Sequence, residues 1–427
     1  MHRRVLALLV AIAAISVAFV PAAQAGRKVV ITGGGWGHGI GMSQYGAYGR
    51  ALNGKNGTQI VKTYYKNTTV GKRTMPSKIR VGLLQGRKTV GFSSSAFKDG
   101  GGKLVFKVKG SAEQIAQGGT SVDWRVDLSN AGGVKLFKNG NRVSKNGVSV
   151  FGDTDHPVVV RYEEFGSLVR IKEKSTNYAY GRVEVWPFAT SSCGGNFCLQ
   201  TVIVLPMQKY LFGLGEVPAS WPAGALEAQA IAGRTFAFKR IVDSGQHRVP
   251  CLCAVVDSTL DQVYSGDSKR TGSGQYWADW KKAVQVTDGV VILYEGNPIS
   301  ALYSSSSGGY TENNENVWGG SPYPYLRGVN DAPDAVSANP NHSWKVTMTW
   351  KAFSAKLDAA FNTGKVKRFV IKKPLGVSKR VTVVISQTEG GVKIVGVDAT
   401  RREDGWDVRN ALGLKDTLFK IKIKTTS

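Results

Sequence analysis

Past residue 25 the chain has no apolar run long enough to cross a bilayer, which takes roughly 20 residues, so no membrane span is expected after the leader. It has no dense Lys/Arg block and no nucleic-acid-binding motif, although 56 Lys+Arg outnumber 30 Asp+Glu. The positive charges are spread along the chain rather than gathered into an arm, so a nucleic-acid partner is not expected. A nucleotide site fails on spacing: glycines 33, 34, 35, 37, 39 and 41 fit neither G-x-G-x-x-G nor the P-loop. Cysteine is limited to Cys193, Cys198, Cys251 and Cys253.

What is present begins with a leader. Arg3 and Arg4 form a positive n-region, Val5 to Val20 an apolar segment, and Ala23-Gln24-Ala25 an A-x-A cleavage site. Residues 1–25 therefore read as a secretory signal peptide, and the mature chain as secreted or cell-wall-associated. The formal net charge is +26; Arg3 and Arg4 leave with the leader, so +24 remains. Such an excess on an exported protein suits an anionic neighbour, and the scattered charge suits wall polymer best. An even cysteine count in this setting suggests disulfides. Cys193 and Cys198 flank a flexible Gly-Gly-Asn-Phe loop and are the preferred pair. Cys251 and Cys253 are one residue apart, where bridging is strained, and their state stays open.

The chemistry centres on Tyr210 to Val242. Glu216 stands there among Leu211, Phe212, Leu214, Val217, Pro218 and Trp221. A carboxyl group that loses hydration is harder to ionise, which is how a Glu stays protonated near neutral pH and serves as a general acid. Ser220-Trp221-Pro222 predicts a helix start with a polar cap, and Ala225, Ala228, Ala232 and Thr235 suit close packing. Ile79 to Val185 reads as β-rich: short apolar or alternating runs separated by Gly, Asn and Asp. Trp280 to Gly296 reads as a helix followed by a strand, and the tail from Trp350 alternates a helix with strands. His156, before Pro157, reads as structural.

Two stretches carry a likeness. Tyr210-Leu211, Glu216-Val217-Pro218, Ser220-Trp221-Pro222, Ala225 to Ala230 and Arg234-Thr235 resemble the central motif of the SpoIID/LytB family (stage II sporulation protein D and amidase enhancer). Near the start, GWGHGIGMSQYGA within Gly33 to Tyr65 resembles the family's Gly-His-Gly signature. Further on, ALYSSSSGGYTENNENVWG, Ala301 to Gly319, resembles its Ser-x-Ser-Gly-Gly-Tyr-Thr-Glu-Asn segment, expected to form a sugar-binding wall. The likeness covers most of 33–71 and 178–419 and is weak in 80–175. In family members the Gly-His-Gly signature follows the Glu motif; here it precedes it. The resemblance thus implies a circular permutation, and Arg409 to Phe419 resembles the segment that would lie just upstream of the signature.

The implied fold is α+β: a β-rich single large SpoIID-like domain with an Ala-rich catalytic helix and a Gly-rich segment moved from the usual carboxyl end. Its expected parts are 26–71, the permuted segment; 72–190, β-rich; 191–345, the catalytic core; and 346–427, an α/β tail. The implied activity is a lytic transglycosylase cutting peptidoglycan glycan strands, with Glu216 as general acid and base. His38, Ser43, Gln44, Arg234 and Tyr310 are its candidate substrate-binding residues. Hydrolysis of a glycoside normally takes two carboxyl groups; one suffices if the sugar's own C6 hydroxyl attacks, leaving a 1,6-anhydro end. That route requires no cofactor and no metal. Zinc would need four ligands, and beside His247, Cys251 and Cys253 the His-Cys pair of some relatives is absent at Leu260 to Tyr264. The alternative is a non-catalytic wall-binding amidase enhancer. Expected partners are glycan strands and, beyond them, anionic wall polymer or an amidase.

Overall fold

The computed structural model describes residues 26–425 apart from Ala131; the expected signal peptide lies outside the described residues. The fold is mixed helix and strand, consistent with α+β. Alternating runs through the first half form two sheets. One has seven strands, in spatial order Val255–Val256, Ile79–Arg87, Phe197–Leu205, Arg182–Ala189, Val158–Arg161, Leu104–Val108 and Gln114–Gly118. The other has six: Asn141–Arg142, Val134–Lys138, Trp124–Leu128, Thr89–Ala96, Ser167–Ile171 and Thr176–Tyr178. Inward residues of both, among them Phe92, Phe106, Trp124, Val158, Val183 and Ile203, share one apolar core with Tyr210, Leu211 and Leu226. The short helix carrying the approach to Glu216 is therefore anchored on sheet.

The long helix, Ala223–Ser244, is enclosed over most of its length, with Ala225, Ala228, Ala232 and Thr235 buried. Small side chains let four elements close on it: helices Gln44–Leu52, Gly57–Tyr64 and Trp277–Val286, and strand Val290–Tyr294. A helix apolar all round belongs in a core. Its start differs from expectation. Pro222 occupies the cap position in an extended conformation with no side-chain cap, and Ser220 is exposed outside the helix. Proline has no N–H to satisfy and its fixed φ leads into the first turn.

A third sheet joins the two ends of the described chain. Arg27–Gly33 is its central strand, antiparallel both to Trp344–Thr349 and to Phe419–Thr425, with Arg27 opposite Thr425. Val29 and Ile31 point into a separate core formed with the helices Trp350–Phe361 and Gly405–Leu412. Both cysteine pairs are disulfides, Cys193–Cys198 and Cys251–Cys253, which settles the second pair left open by spacing. No helix among the described residues is long and apolar enough to cross a membrane.

Candidate functional site

The Gly-rich segment earns its glycines against protein atoms. Gly39 has φ 70°, and a Cβ there would lie 2.3 Å from Cζ of Arg380; Gly41 has the same φ, and its Cβ would lie 2.1 Å from the Leu302 carbonyl oxygen. Side chains are strained in that backbone region and here have no room either. The close approach of this backbone is thus made to Arg380 and Leu302. Arg380 is fully buried; its guanidinium donates to both carboxylate oxygens of Asp416, at 2.8 and 3.0 Å, and to the carbonyls of Ser307 and Tyr310. This ion pair is the peg round which the loop is wound.

The loop delivers His38 and Gln44. His38 Nδ1 accepts from the Ile40 N–H at 3.0 Å, its ring also bonds the Tyr303 carbonyl, and it lies 5.0 Å from the Trp318 ring. Burial, with the nearby guanidiniums of Arg380 and Arg409, pushes its pKa down to about 4, so at neutral pH it is an uncharged imidazole. Gln44 Nε2 donates to the backbone carbonyl of Glu216 at 3.3 Å and to Gln229 Oε1 at 3.2 Å, tying the loop to the long helix.

Glu216 follows the short helix Met207–Phe212. Its Oε1 accepts from the Val263 N–H at 2.7 Å, and the Tyr303 hydroxyl bonds the same carboxyl. That hydroxyl accepts from Gln262 Nε2 at 2.8 Å, and Gln262 Oε1 accepts from the Tyr210 hydroxyl at 2.9 Å. The chain of donors holds the carboxyl in one orientation. Burial raises its pKa; the bonds from Val263 and Tyr303 and the charge of Lys269 oppose the rise without cancelling it. Lys269 is itself buried. It donates to the Val217 carbonyl and lies 4.9 Å above the Trp280 ring, and burial lowers its pKa to about 8.

Glu216 forms part of the wall of two hollows. One, about 730 Å³, is lined by Trp36, His38, Gln44, Tyr303, Trp318, Trp406 and Arg409, among others. The other, about 410 Å³, is lined by Lys269, Tyr276 and the serines 220, 265, 268 and 273. Asp261 also borders the larger hollow, but its two oxygens are held by Arg240 and Arg248. Aromatic faces with a few fixed polar groups are what a sugar-sized ligand requires.

His38, Gln44 and Glu216 thus come together; the other three expected residues lie elsewhere. Ser43 caps helix Gln44–Leu52 by accepting from Gly46 N–H at 3.0 Å and donates to Asp334 Oδ1 at 2.7 Å. Arg234 is fully buried and donates to the carbonyls of Val284 and Val290, both at 3.1 Å, joining the long helix to its neighbours. Tyr310 borders neither hollow; its carbonyl accepts from Arg380. The serine-rich segment divides as well. Ser306 and Ser307 donate to the buried Asp334 and Asp331, while Ser304, Ser305 and Trp318 face the larger hollow. Tyr303, Gln262 and Lys269 had no assigned role from sequence, although the first two stand inside stretches singled out there.

Residues 197–294 match the family model SpoIID, Stage II sporulation protein. Stage II sporulation protein D of Bacillus subtilis (strain 168) is 31% identical over 230 residues, covering 52% of this chain and 62% of that protein. The amidase enhancer of the same organism is 38% identical over 141 residues, covering 33% of this chain and 17% of that protein. In this region the chain is similar to the SpoIID/LytB family. It spans less than two thirds of the length of these relatives.

Proposed function

We propose that the protein is exported to the cell wall and cuts peptidoglycan glycan strands as a lytic transglycosylase. The observation that carries this is the state of the carboxyl groups: among the described residues lining the larger hollow, Glu216 has no ion-pair partner and a raised pKa, while Asp261 is held by two arginines. One carboxyl group can serve both steps. Protonated Glu216 gives its proton to the glycosidic oxygen as the C1–O bond breaks. As carboxylate it then takes the proton from the C6 hydroxyl, whose oxygen closes on C1 of the same sugar. Glu216 ends protonated again. Tyr303 and Val263 keep the carboxyl aimed, Gln44 fixes the backbone behind it, and Trp318 and Trp406 offer faces for sugar rings.

Incubating residues 26–427 with purified glycan strands and analysing the products tests this directly. Ends in the 1,6-anhydro form are expected. Ordinary reducing ends would mean hydrolysis, and intact strands that stay bound would favour the amidase-enhancer alternative, whose support is the relative of that name.

The order of motifs belongs to the same proposal. A permuted SpoIID-like domain places the Gly-His-Gly segment at the front while returning it to the Glu216 cleft. Two contacts support this: strand Arg27–Gly33 pairs with Phe419–Thr425 along its whole length, and Met42 pairs with Tyr303. Permutation needs ends that lie close together.

The pH profile should report Lys269. The acid must be protonated, so kcat/KM falls as pH rises through the pKa of Glu216. The ammonium of Lys269 holds that pKa down. Lys269→Met should therefore move the alkaline limb to higher pH, measurable as a shifted kcat/KM profile; an unmoved or acid-shifted limb would show that Lys269 does not act on Glu216.

A further inference from the structure

The sheet joining the two ends of the chain has one covered face and one bare one. Side chains alternate across a strand, so with Val29 and Ile31 in the core, Lys28, Val30 and Thr32 face outward. The register extends this face sideways. Lys28 lies between Thr349 and Lys424, Val30 between Thr347 and Lys422, and Thr32 between Lys345 and Lys420. Five of these nine residues are lysines and none is acidic. All five lysines are exposed, and among the described residues none forms an ion pair. Lys420, Lys422 and Lys424 recur at every second residue, about 6.8 Å apart along an edge strand.

Lysines on an edge strand keep it from pairing with another sheet, which accounts for part of the pattern. It does not account for Lys28, which sits on the central strand directly opposite Lys424. Like charges opposite each other weaken a sheet, so this arrangement costs the fold something. A lipid surface suits the face poorly, because membrane docking combines basic residues with exposed apolar side chains, and Val30 alone is apolar here and is half-buried. A regular row of cations on a flat polar face suits a linear chain of regularly spaced anions.

We propose that this face binds a linear polymer with a phosphodiester backbone, laid along Lys420, Lys422 and Lys424 with Lys28 and Lys345 on its flank. It rests on the reading of the protein as wall-associated, but not on cleavage, and holds the chain near its substrate while the Glu216 cleft works independently.

Binding of residues 26–427 to poly(glycerol phosphate) over a series of salt concentrations tests it. K420Q/K422Q/K424Q should weaken binding roughly ten-fold or more near 0.1 M salt and flatten the salt dependence by two to three contacts, since each phosphate contact adds nearly one to the log–log slope. K62Q/K98Q/K281Q, three exposed lysines on other elements removing the same charge, should change affinity less than about two-fold. The single variant K28Q, with a weaker loss, covers the case in which the triple fails to fold. E216Q should bind as the wild type does, so a failed cleavage assay leaves this result readable. Equal losses in the two triples would overturn the proposal and leave the lysines as guards of a sheet edge. Preference for phosphatidylglycerol vesicles over the polymer would overturn it in favour of a lipid surface.

Discussion

Glu216→Gln is expected to lower glycan cleavage by roughly 10²–10⁴-fold, the usual contribution of a general acid–base group. The amide keeps the shape of the carboxyl, and its Oε1 can still accept from the Val263 N–H. Its nitrogen cannot release a proton to a glycosidic oxygen. The melting temperature should therefore stay within a degree or two while turnover collapses. Both are measured on one preparation, by thermal unfolding and by 1,6-anhydro product release. Turnover within about three-fold of wild type would remove Glu216 from the chemistry and leave the aromatic hollow as a binding site alone.

Arg380→Met is expected to have the largest effect on stability. Asp416 is fully buried, and Arg380 supplies its cationic partner at 2.8 Å. Removing one member of a buried pair leaves the other uncompensated, at a cost of about 3–5 kcal/mol. The pH dependence gives the test its sign. Burial raises the pKa of Asp416, and Arg380 opposes the rise; without the arginine the rise is larger. A carboxyl whose folded pKa lies above its unfolded value contributes stability at low pH and loses it as pH climbs through the folded pKa. The variant should consequently be closest to wild type in acid and furthest from it at neutral pH. Urea unfolding at two pH values measures this, and a penalty under about 1 kcal/mol at neutral pH would show that the peg does not hold the loop.

The carboxyl at the centre of the site was legible because its neighbours in sequence are also its neighbours in space: Leu211, Leu214 and Val217 are buried beside it. The same held for the tightness of the Gly33–Gly41 loop, since glycine density speaks of backbone directly. What the loop tightens around was not legible. Arg380 and Asp416 stand far along the chain, and nothing local distinguishes an arginine that will be buried from one that will be solvated. Ser43 and Arg234 show the same limit from the other side. Both have the chemistry of ligand-binding residues, but Asp334 and the carbonyls of Val284 and Val290 claim their donors first. Lys269 gave no signal, because one lysine in a polar stretch looks like any other until Trp280 and Val217 are folded against it.

The placement of Arg27–Gly33 has a consequence for the order of assembly. This strand is among the first described parts of the chain to be made, yet both of its sheet partners are late: Trp344–Thr349 and Phe419–Thr425. Bringing such distant segments together spends loop-closure entropy before any contact repays it, which makes them slow steps. Until the final strand docks, the beginning of the chain has no sheet to join. The loop that carries His38 and Gln44 also lacks the Arg380–Asp416 peg. The cleft is thus completed last, so a chain made from its first residue onward has no finished Glu216 cleft until nearly all of it has been made.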